Sequence, residues 1–379
     1  MQFYSANLVR CALLASAFSL AAFAGSVYAQ TYNLHVLHRF SGPPDDGWRP
    51  STSVIFDDAG NLYGTTNNGG TNDSGSIYRI ANDGTVSVIH SFEELTGPTG
   101  ETVTPIDMVI DSSTGDIYGA TQYGGLLGYG QIYKLAVDGT YTVLHYFNAL
   151  VDGAHPVSVI RDPQGNLYGT LQKGPGVGPV LFEYSSSGTF RVLHAFGTRV
   201  MPVGSLVRDM TGNLFGVTTA ATVGCGEIYK LALDGTFTTL YSFSHGADGC
   251  LPASLSGDRS GNLYGTVVPV SHDSTLVFKF APDGTFTPLH SFSLVNVTPV
   301  LPVNGTLYAI AYATNEQGIL FALAPDSTYT ELYRFSDDQG EDPEARLTLK
   351  FGRLYGTNSG GGDRLSAYGT VFSFGVADP

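Results

Sequence analysis

Gly60-Asn61-Leu62-Tyr63-Gly64 recurs with small changes along this 379-residue chain. Its seven copies begin at Gly60, Gly115, Gly165, Gly212, Gly261, Gly305 and Gly352. A second block such as Ile77-Tyr78-Arg79-Ile80 follows each copy, and in most repeats an Asp-Gly-Thr turn then leads to a third block, for example Val88-Ile89-His90-Ser91-Phe92. The mean spacing of about 49 residues is typical of a protein built from one repeated supersecondary unit.

Each repeat contains four short apolar or aromatic runs separated by Gly, Asp, Asn and Pro. Such runs predict β-strands, and Asp-Gly turns supply the positive φ of tight hairpins. We therefore predict an all-β fold, a seven-bladed β-propeller of four-stranded antiparallel blades. The third block first occurs at residues 36–40, ahead of the first Gly-Asn-Leu-Tyr-Gly copy, and none follows Phe374. The N-terminal strand is thus expected to complete the last blade and to remove the open sheet edge.

The composition agrees with this fold and excludes several others. The chain is 42% hydrophobic with 48 Gly, which is too apolar for a disordered protein and too rich in Gly for a helical bundle. The formal net charge is −15, so the chain is a poor partner for nucleic acid, whose phosphates require a basic surface.

The first 29 residues resemble a targeting segment. Arg10 precedes an apolar run at residues 11–24, and Val27-Tyr28-Ala29 is typical of a signal-peptidase site. The apolar run is shorter than the roughly 20 residues that span a bilayer. We expect residues 1–29 to be a signal peptide and residues 30–379 a single propeller domain, secreted or periplasmic, monomeric and not inserted in the membrane.

The blocks quoted above also resemble a known family. Gly-Asn-Leu-Tyr-Gly-Thr-Thr-x-x-Gly-Gly, followed by the second and third blocks, is similar to the GloVer tandem repeats of bacterial extracellular proteins, many of them with a C-terminal sorting anchor. Residues 60–92 carry the pattern almost intact, and the resemblance covers essentially the whole mature chain. The resemblance implies an exported bacterial propeller and identifies no catalytic residues in this sequence. The sequence departs from the anchored members because it ends at Pro379 without a hydrophobic tail.

Five histidines occupy one position of the third block: His38, His90, His145, His194 and His290. Equivalent positions of different blades are far apart, whereas the ligands of one zinc ion converge on it. We therefore interpret these histidines as side chains that pack between blades, and we expect no catalytic or metal-binding residues among them.

The connections between strands lie on two faces of the propeller. Connections one to three join successive strands of a blade, and connection four leads to the next blade. Connections one and three, such as residues 58–61 and 83–85, are tight and repetitive and share what we call the tight-turn face. Connections two and four are long and variable and share the variable-loop face. Because binding residues concentrate in variable loops on a rigid scaffold, the sequence predicts a site on the variable-loop face.

Connection four contains a recurring Asp-Gly-x-x-Pro signature, which is either a turn into the innermost strand or a ring of oxygen ligands for Ca²⁺ or sugar hydroxyls. Trp48, the only tryptophan, could stack on a sugar ring or could fill the gap between the first and last blades. The candidate binding residues are Asp45, Asp46, Trp48, Arg49, Asp152, His155, Asp248 and Asp342. His155 and the pair His272 and Asp273 are further candidates for acid–base chemistry, although each is more simply an ordinary loop residue.

Cys225 and Cys250 remain once the signal segment is removed, and they fall in neighbouring loops of one face. An even pair in an exported protein favours a disulfide, whose loop closure would contribute roughly 3 kcal/mol.

Three functions remain open. The sequence favours a non-catalytic propeller that binds an extracellular polysaccharide or a protein. We expect no cofactor, and calcium is the one candidate. The alternatives are an extracellular propeller enzyme, either a glycan hydrolase or lyase or a metal-dependent lactonase, and a structural envelope protein. No Gly-x-Ser-x-Gly, Walker or His-Glu-x-x-His motif is present to support an enzyme, and a propeller fold hosts many functions.

Overall fold

The computed structural model describes residues 34–93, 103–176, 178–219, 224–268, 274–293, 295–313, 318–336, 338–343, 345–361 and 368–376. The predicted signal peptide lies outside these ranges, as do His272 and Asp273. Within these ranges the regular structure is β-strand, and no helix is long and apolar enough to cross a membrane.

Thirty strands follow one another along the described chain. The first two groups are β1 (Leu34–Arg39), β2 (Gly47–Pro50), β3 (Ile55–Phe56), β4 (Leu62–Gly69), β5 (Ser76–Ile80), β6 (Val86–Ser91), β7 (Pro105–Ile110), β8 (Ile117–Thr121), β9 (Gln131–Leu135) and β10 (Tyr141–Tyr146). The middle groups are β11 (Ala154–Arg161), β12 (Leu167–Gly174), β13 (Gly178–Tyr184), β14 (Phe190–Ala195), β15 (Met201–Arg208), β16 (Leu214–Thr219), β17 (Glu227–Leu231), β18 (Phe237–Ser242), β19 (Leu251–Gly257), β20 (Leu263–Val268), β21 (Ser274–Phe280) and β22 (Phe286–Ser293). The last groups are β23 (Asn296–Val297), β24 (Leu301–Val303), β25 (Thr306–Tyr312), β26 (Ile319–Leu323), β27 (Tyr329–Arg334), β28 (Thr348–Lys350), β29 (Arg353–Asn358) and β30 (Thr370–Gly375).

Hydrogen bonds sort these strands into seven antiparallel sheets, which are the seven blades. Blades 1 to 6 each run outward in chain order, for example β7-β8-β9-β10 in blade 2, with β3 and β24 as extra pieces of the inner strand. The first strands of neighbouring blades, such as β7, β11 and β15, contact one another, which places them around the central axis. The predicted seven-bladed propeller is confirmed.

The seventh blade is closed by the start of the chain. Its order is β28-β29-β30-β1, with Leu34 opposite Phe374 and Arg39 opposite Thr370. The outermost strand of the last blade therefore comes from the N-terminal part of the sequence, as predicted. Because β1 covers the outer edge of β30, that strand is paired on both sides.

Glycine in the Leu-Tyr-Gly block makes room for the aromatic ring of the second block. A Cβ on Gly64 would lie 2.1 Å from Oη of Tyr78, and one on Gly119 would lie 2.3 Å from the Tyr133 ring. Tyr78 and Tyr133 are fully buried. The glycine recurs because the ring of the next strand lies directly across it, and not for the sake of a turn.

The third-block aromatics pack between blades, as predicted. His90 stacks on Tyr141 of the next blade with ring centroids 3.8 Å apart, and His194 stacks on Phe237 at 3.7 Å. Burial lowers the pKa of His90 to about 4, so the imidazole is neutral at pH 7. These histidines form a packing belt and do not converge on a ligand.

A repeated clamp closes connection one on the tight-turn face. In blade 1 the Asp57 carboxylate accepts hydrogen bonds from the backbone and side-chain amide of Asn61, at 2.8 and 2.6 Å, and from the Tyr63 hydroxyl at 2.9 Å. The same clamp is built from Asp258, Asn262 and Tyr264 in blade 5. It accounts for the Asp, Asn and Tyr of the first block as structural residues.

Candidate functional site

Strand register allows the seven inner strands to be compared position by position. Each inner strand has one residue paired with the aromatic of the Leu-Tyr-Gly block, as Ile55 is paired with Tyr63. Two residues earlier, the seven blades carry, in order, Ser53, Asp107, Ser158, Ser205, Ser254, Pro299 and Arg346. We call this set the axial ring. Four blades have serine there, so Asp107 and Arg346 are departures that the packing of a blade does not require.

Asp107 lies in a polar niche of this axial ring. The Ser205 hydroxyl donates to its Oδ2 at 3.4 Å, and the backbone of Val159 also bonds to the carboxyl group. Burial raises the pKa of Asp107 to about 6, even though the charge of Arg346 and these hydrogen bonds act in the opposite direction. The group is therefore poised to change charge close to neutral pH.

Two cavities meet at Arg346. One, of about 450 Å³, is lined by the inner strands of blades 1 to 4 and by the start of blade 7, and it includes Asp107 and Ser205. The other, of about 890 Å³, lies against blades 5 to 7 and includes Asp258, Arg259 and Lys279. Arg346 is exposed and lines both, so its guanidinium is accessible from either cavity.

The charge of these cavities is opposite to that of the chain. Arg259, Lys279 and Arg346 line the larger one, and none of them is in the ion pairs found among the described residues. The Asp258 carboxylate that shares this cavity is occupied by the turn clamp described above. A chain of net charge −15 therefore exposes three cations to one concave surface.

These cavities open on the tight-turn face. The larger one is lined by the connection-one residues Asp258 to Asn262 and by Asn304 and Gly305 of blade 6. The sequence had predicted a site on the variable-loop face, because the tight-turn face looked featureless. The larger cavity lies where the inner strands are irregular: that of blade 6 is split into β23 and β24, and β28 of blade 7 has only three residues.

The carboxylates of connection four serve their own loops. Oδ2 of Asp46 lies 3.0 Å from the His38 ring and accepts the Ser41 backbone N–H at 2.9 Å. Asp152 lies 2.6 Å from His145 Nε2 and accepts the Asn148 N–H at 2.6 Å. Asp248 repeats the arrangement with Tyr241 and Ser244, both at 3.0 Å. This geometry is the one expected if the Asp-Gly-x-x-Pro signature is a turn into the innermost strand.

The balance of forces at Asp46 shows how such a carboxylate stays charged. Burial alone would raise the pKa of Asp46, but hydrogen bonds from His38, Ser41 and Gly47 outweigh it and hold the pKa below its usual value. In blade 7, Gln339 takes the aspartate's place and accepts hydrogen bonds from Tyr333 and Ser336 through its amide oxygen.

Three other candidates share one backbone position, immediately before the proline of the signature. Arg49, His155 and Asp342 have φ of 58°, 59° and 52°, which is the left-handed region. The His155 ring is buried, with Nδ1 3.3 Å from the carbonyl oxygen of Gln122, and the Asp342 carbonyl accepts the Ser359 N–H at 3.1 Å. Their shared conformation belongs to the turn into the inner strand.

Trp48 is half-buried at the junction of the first and last blades. Its indole N–H donates to Asp73 at 2.9 Å, and its ring packs edge-on against Tyr368 with centroids 5.8 Å apart. This position matches the interpretation of Trp48 as a plug between blades 1 and 7. The neighbouring Asp45 is exposed. Binding by these loop residues stays a prediction.

Metal-binding geometry can be examined for the described residues as a group. Three metal-ligating side chains come close enough to share one ion only at Cys225, His245 and Cys250. The loop carboxylates and His155 form no such group within the described ranges, and the predicted calcium site stays a prediction. Cys225 and Cys250 themselves are joined in a disulfide, in agreement with the sequence analysis.

Asp107, Arg259, Lys279 and Arg346 were missed by the sequence analysis. The sequence does contain a signal for Asp107 and Arg346. An alignment of the repeats places an acidic residue and a basic residue at a position where four blades have serine. That alignment requires the positions of the β-bulges in the inner strands, for example the register shift between Pro105 and Asp107. When the strand pairing is unknown, this shift hides the fact that Asp107 and Arg346 occupy equivalent positions in their blades.

Fold and cavity together define the class: a seven-bladed β-propeller with a cation-lined axial cavity. The chain belongs to the Gloeobacter/Verrucomicrobia repeat family, whose model matches residues 15–221 and 115–303. No curated protein sequence matches the chain.

Solved structures resemble the chain at the level of the fold. The extracellular domain of a protein described as a hybrid two-component system of B. thetaiotaomicron aligns with a TM-score of 0.55 and 12% identity over 90% of this chain. The chain spans only 41% of that neighbour. A protein from Lactobacillus plantarum aligns with a TM-score of 0.52 and 16% identity over 78% of this chain and 86% of its own. A gluconolactonase from Xanthomonas campestris gives a TM-score of 0.45 with 16% identity, over 74% of this chain and 87% of that chain.

Proposed function

We propose that the protein is a non-catalytic binding propeller that holds an anionic ligand in the axial cavity on the tight-turn face. The observation that supports this proposal best is the charge segregation: Arg259, Lys279 and Arg346 line one cavity of a chain with net charge −15. Cations without ion-pair partners in a concave site attract anions.

An acidic extracellular polysaccharide is the ligand class that fits this site best. Its sugar carboxylates would pair with the guanidinium groups, which bind carboxylates in a bidentate geometry. The cavity of about 890 Å³ is large enough for more than one sugar ring. The aliphatic walls formed by residues such as Leu289 and Leu301 would contact the apolar faces of the rings.

The experiment is a calorimetric titration with oligogalacturonate and, as an uncharged match, its methyl ester. We expect binding of the acid only, and a loss of at least about tenfold in affinity, or about 1.4 kcal/mol, for Arg346→Gln. Arg199→Gln is the matched control, because Arg199 is exposed in a variable loop outside these cavities. Equal binding of acid and ester would contradict the proposal.

A Trp48→Ala variant separates the two faces. If Trp48→Ala abolishes binding while Arg346→Gln leaves it unchanged, the ligand occupies the variable-loop face predicted from the sequence, and the axial assignment is wrong. Loss with Arg346→Gln alone assigns the ligand to the axial cavity.

Asp107 favours one alternative, a polysaccharide lyase. A carboxyl group with a pKa of about 6 suits a general base, which would take the proton from the C–H next to a uronate carboxylate that Arg346 stabilises. The C–H electron pair would form the new C=C bond as the glycosidic C–O bond breaks, and the departing oxygen would take up a proton. A lyase would release unsaturated ends that absorb in the ultraviolet, and Asp107→Asn would abolish them. A binding protein would release none, and Asp107→Asn would retain the ligand.

Export is part of the proposal. The targeting pattern of residues 1–29 and the disulfide between Cys225 and Cys250 both favour an oxidising compartment. Mass measurement of the protein recovered outside the cytoplasm should give a chain that starts at Gln30; an uncleaved N-terminus would contradict this.

A further inference from the structure

The disulfide lies beside a histidine that no structural role accounts for. Cys225 precedes β17, Cys250 precedes β19, and both are buried at 1% exposure or less. His245 is exposed in the same connection-four loop, with Nε2 3.7 Å from Sγ of Cys250. The ring nitrogen and the two sulfur atoms all lie within 4.8 Å of one another.

The loop holds His245 in place from both sides. Asp248 accepts hydrogen bonds from the backbone N–H groups of Ser244 and Gly246, at 3.0 and 3.1 Å, and from the Ser244 hydroxyl at 2.9 Å. His245 itself has φ of 64°, a left-handed conformation that the two anchored neighbours maintain. The imidazole is thus positioned before any ligand arrives.

Comparison with the equivalent loops shows that the group is specific to this blade. The Asp-Gly pair precedes Trp48 in the first loop and the buried Ala154 in the third, at the position that Cys250 occupies here. The hydrogen bonds from each loop to its aspartate are therefore common to these loops, whereas the sulfur and imidazole donors are additional features of the Asp248 loop.

We propose that Cys225, Cys250 and His245 form a redox-gated site for a thiophilic cation, Zn²⁺ in the first instance. Reduction breaks the disulfide bond and gives two cysteine thiols: two thiol molecules supply two electrons and two protons and become a disulfide, or a phosphine supplies the electrons and becomes its oxide while water supplies the oxygen and the two protons. Each thiol releases its proton when it binds the metal, so the protein supplies two thiolates and a neutral imidazole, with one position left open.

The geometry supports this donor set. Ligands at tetrahedral zinc, with Zn–S near 2.3 Å and Zn–N near 2.05 Å, are about 3.6 Å apart for a sulfur–nitrogen pair. The observed separation of 3.7 Å between His245 Nε2 and Cys250 Sγ already meets this requirement. Once the disulfide bond is broken, the two sulfur atoms have to separate, and Cys225 Sγ, which lies within 4.8 Å of the ring nitrogen, has to take up its own position around the metal. The oxidised state cannot bind the ion in this way, because a disulfide supplies no thiolate.

The test is zinc binding by the full chain before and after reduction with a phosphine, with Cys11→Ser in every protein to remove the remaining thiol. We expect one Zn²⁺ per reduced chain, none per oxidised chain, and at least about tenfold weaker binding for His245→Ala. His35→Ala is the control, because His35 is exposed on β1. Substitution of Zn²⁺ by Co²⁺ should give a thiolate-to-metal absorption band that the oxidised chain lacks.

Three outcomes would overturn the proposal. The first is that the native chain yields no free thiols with the reductant, so that the site cannot open. The second is that the oxidised chain binds zinc equally well, and the third is that His245→Ala binds zinc as tightly as the unmodified protein. None of these results bears on the axial cavity, so the two proposals are tested independently.

Discussion

Single glycines create the space into which the largest buried rings of each blade fit. Gly64, Gly119 and Gly216 each lie under a tyrosine of the neighbouring strand, so that a Cβ would come within 2.3 Å of the ring or its hydroxyl. In blade 6 the equivalent residue is Ala309, opposite Phe321, whose ring lacks the hydroxyl. Glycine also stands opposite phenylalanine elsewhere, as Gly169 opposite Phe182 and Gly265 opposite Phe278, so the ring itself and not only the hydroxyl requires the space in those blades.

Gly64→Ala should therefore destabilise the protein by overpacking, by about 1–3 kcal/mol, because φ at Gly64 is not in the left-handed region and only the ring of Tyr78 stands in the way. The measurement is the free energy of unfolding in urea. Gly197→Ala is the matched control, with its nearest neighbour 3.7 Å away, and it should change stability by less than about 0.5 kcal/mol. Equal effects of the two substitutions would contradict the steric explanation.

Asp107 should make the folded protein less stable as the pH rises. Between the ordinary carboxyl pKa and about 6, the folded chain retains a proton that the unfolded chain has lost, so stability falls as pH rises through that window. Asp107→Asn should remove this fall and stabilise the protein at pH 8, on the order of 1–2 kcal/mol, with little change at pH 3.5.

Asp209→Asn should change the stability of the protein in the opposite direction under the same conditions. Burial would raise the pKa of Asp209, but hydrogen bonds from Asn213 and Thr211 outweigh it and lower the pKa. Its contribution is present above the ordinary carboxyl pKa, so Asp209→Asn should destabilise the protein at pH 8. If both variants shift stability in the same direction, the environment of Asp107 has been misassigned.

At the scale of strands and loops, the outer strands of blades 1 to 5 are each joined to the next blade by stacked rings. His90 on β6 stacks on Tyr141 of β10, and His145 on β10 stacks on Phe190 of β14. His145 also meets Asp152 of the following loop, whereas burial is the cause of the lowered pKa at His90. The same repeat position is therefore stacked on a ring in both blades, and in blade 2 it also lies beside a carboxylate.

His90→Phe should make the protein less sensitive to acid. The unfolded chain takes up a proton at His90 as pH falls below about 6.5, while the folded chain resists until about pH 4, so this histidine costs stability in that window. Phenylalanine keeps the stacking on Tyr141 and cannot be protonated. Urea midpoints at pH 7 and pH 5 should lie closer together in the variant than in the unmodified protein.

His145→Phe is the contrasting variant, because it leaves the buried Asp152 without its ring partner. It should lose stability at both pH values, by roughly 1–3 kcal/mol. Unchanged acid sensitivity in His90→Phe would show that the packed histidines are not the groups that titrate.

The fold could be predicted from the sequence because every blade uses the same local chemistry. The Asp57–Asn61–Tyr63 clamp, the glycine under Tyr78 and the Asp-Gly turns each leave a mark at a fixed spacing. The axial cavity leaves no mark at a fixed spacing, since Arg346 and Asp107 are 239 residues apart in sequence and come to line one cavity only when the ring closes. The loop aspartates were visible as a motif, but their partners, such as Tyr241 and Ser244, show their use only in three dimensions.

For the whole molecule, the distribution of charge matters more than the total. Lys and Arg number 18 against 33 Asp and Glu, yet Arg161, Arg259, Lys279, Arg346 and Lys350 all line the two axial cavities. An anionic polymer is repelled by the protein as a whole, and salt screens this repulsion beyond about 10 Å. Attraction is confined to the axis, which favours one binding position over the rest of the surface.

The ring depends on the strand that closes it. Deletion of residues 30–39 should expose the edge of β30, lower the thermal midpoint by roughly 10 °C and promote association, whereas deletion of residues 1–29 alone should do neither. Thermal unfolding and size-exclusion chromatography measure the two effects. A peptide of residues 30–40 added to the truncated protein should restore the monomer, and failure of the longer deletion to change either property would contradict the closure.

The pairing that closes the ring also makes its starting point arbitrary. Leu34 faces Phe374 across β1 and β30 in the way that Val86 faces Ile80 within blade 1, where residues 81–85 form the turn between them. A copy of that turn could therefore join Phe374 to Leu34, and the chain could be cut open in another blade's hairpin instead. Such a circular permutant would give blade 7 a continuous hairpin and move the break to the blade that is cut, and it would show that the position of the chain ends and the arrangement of the blades are independent.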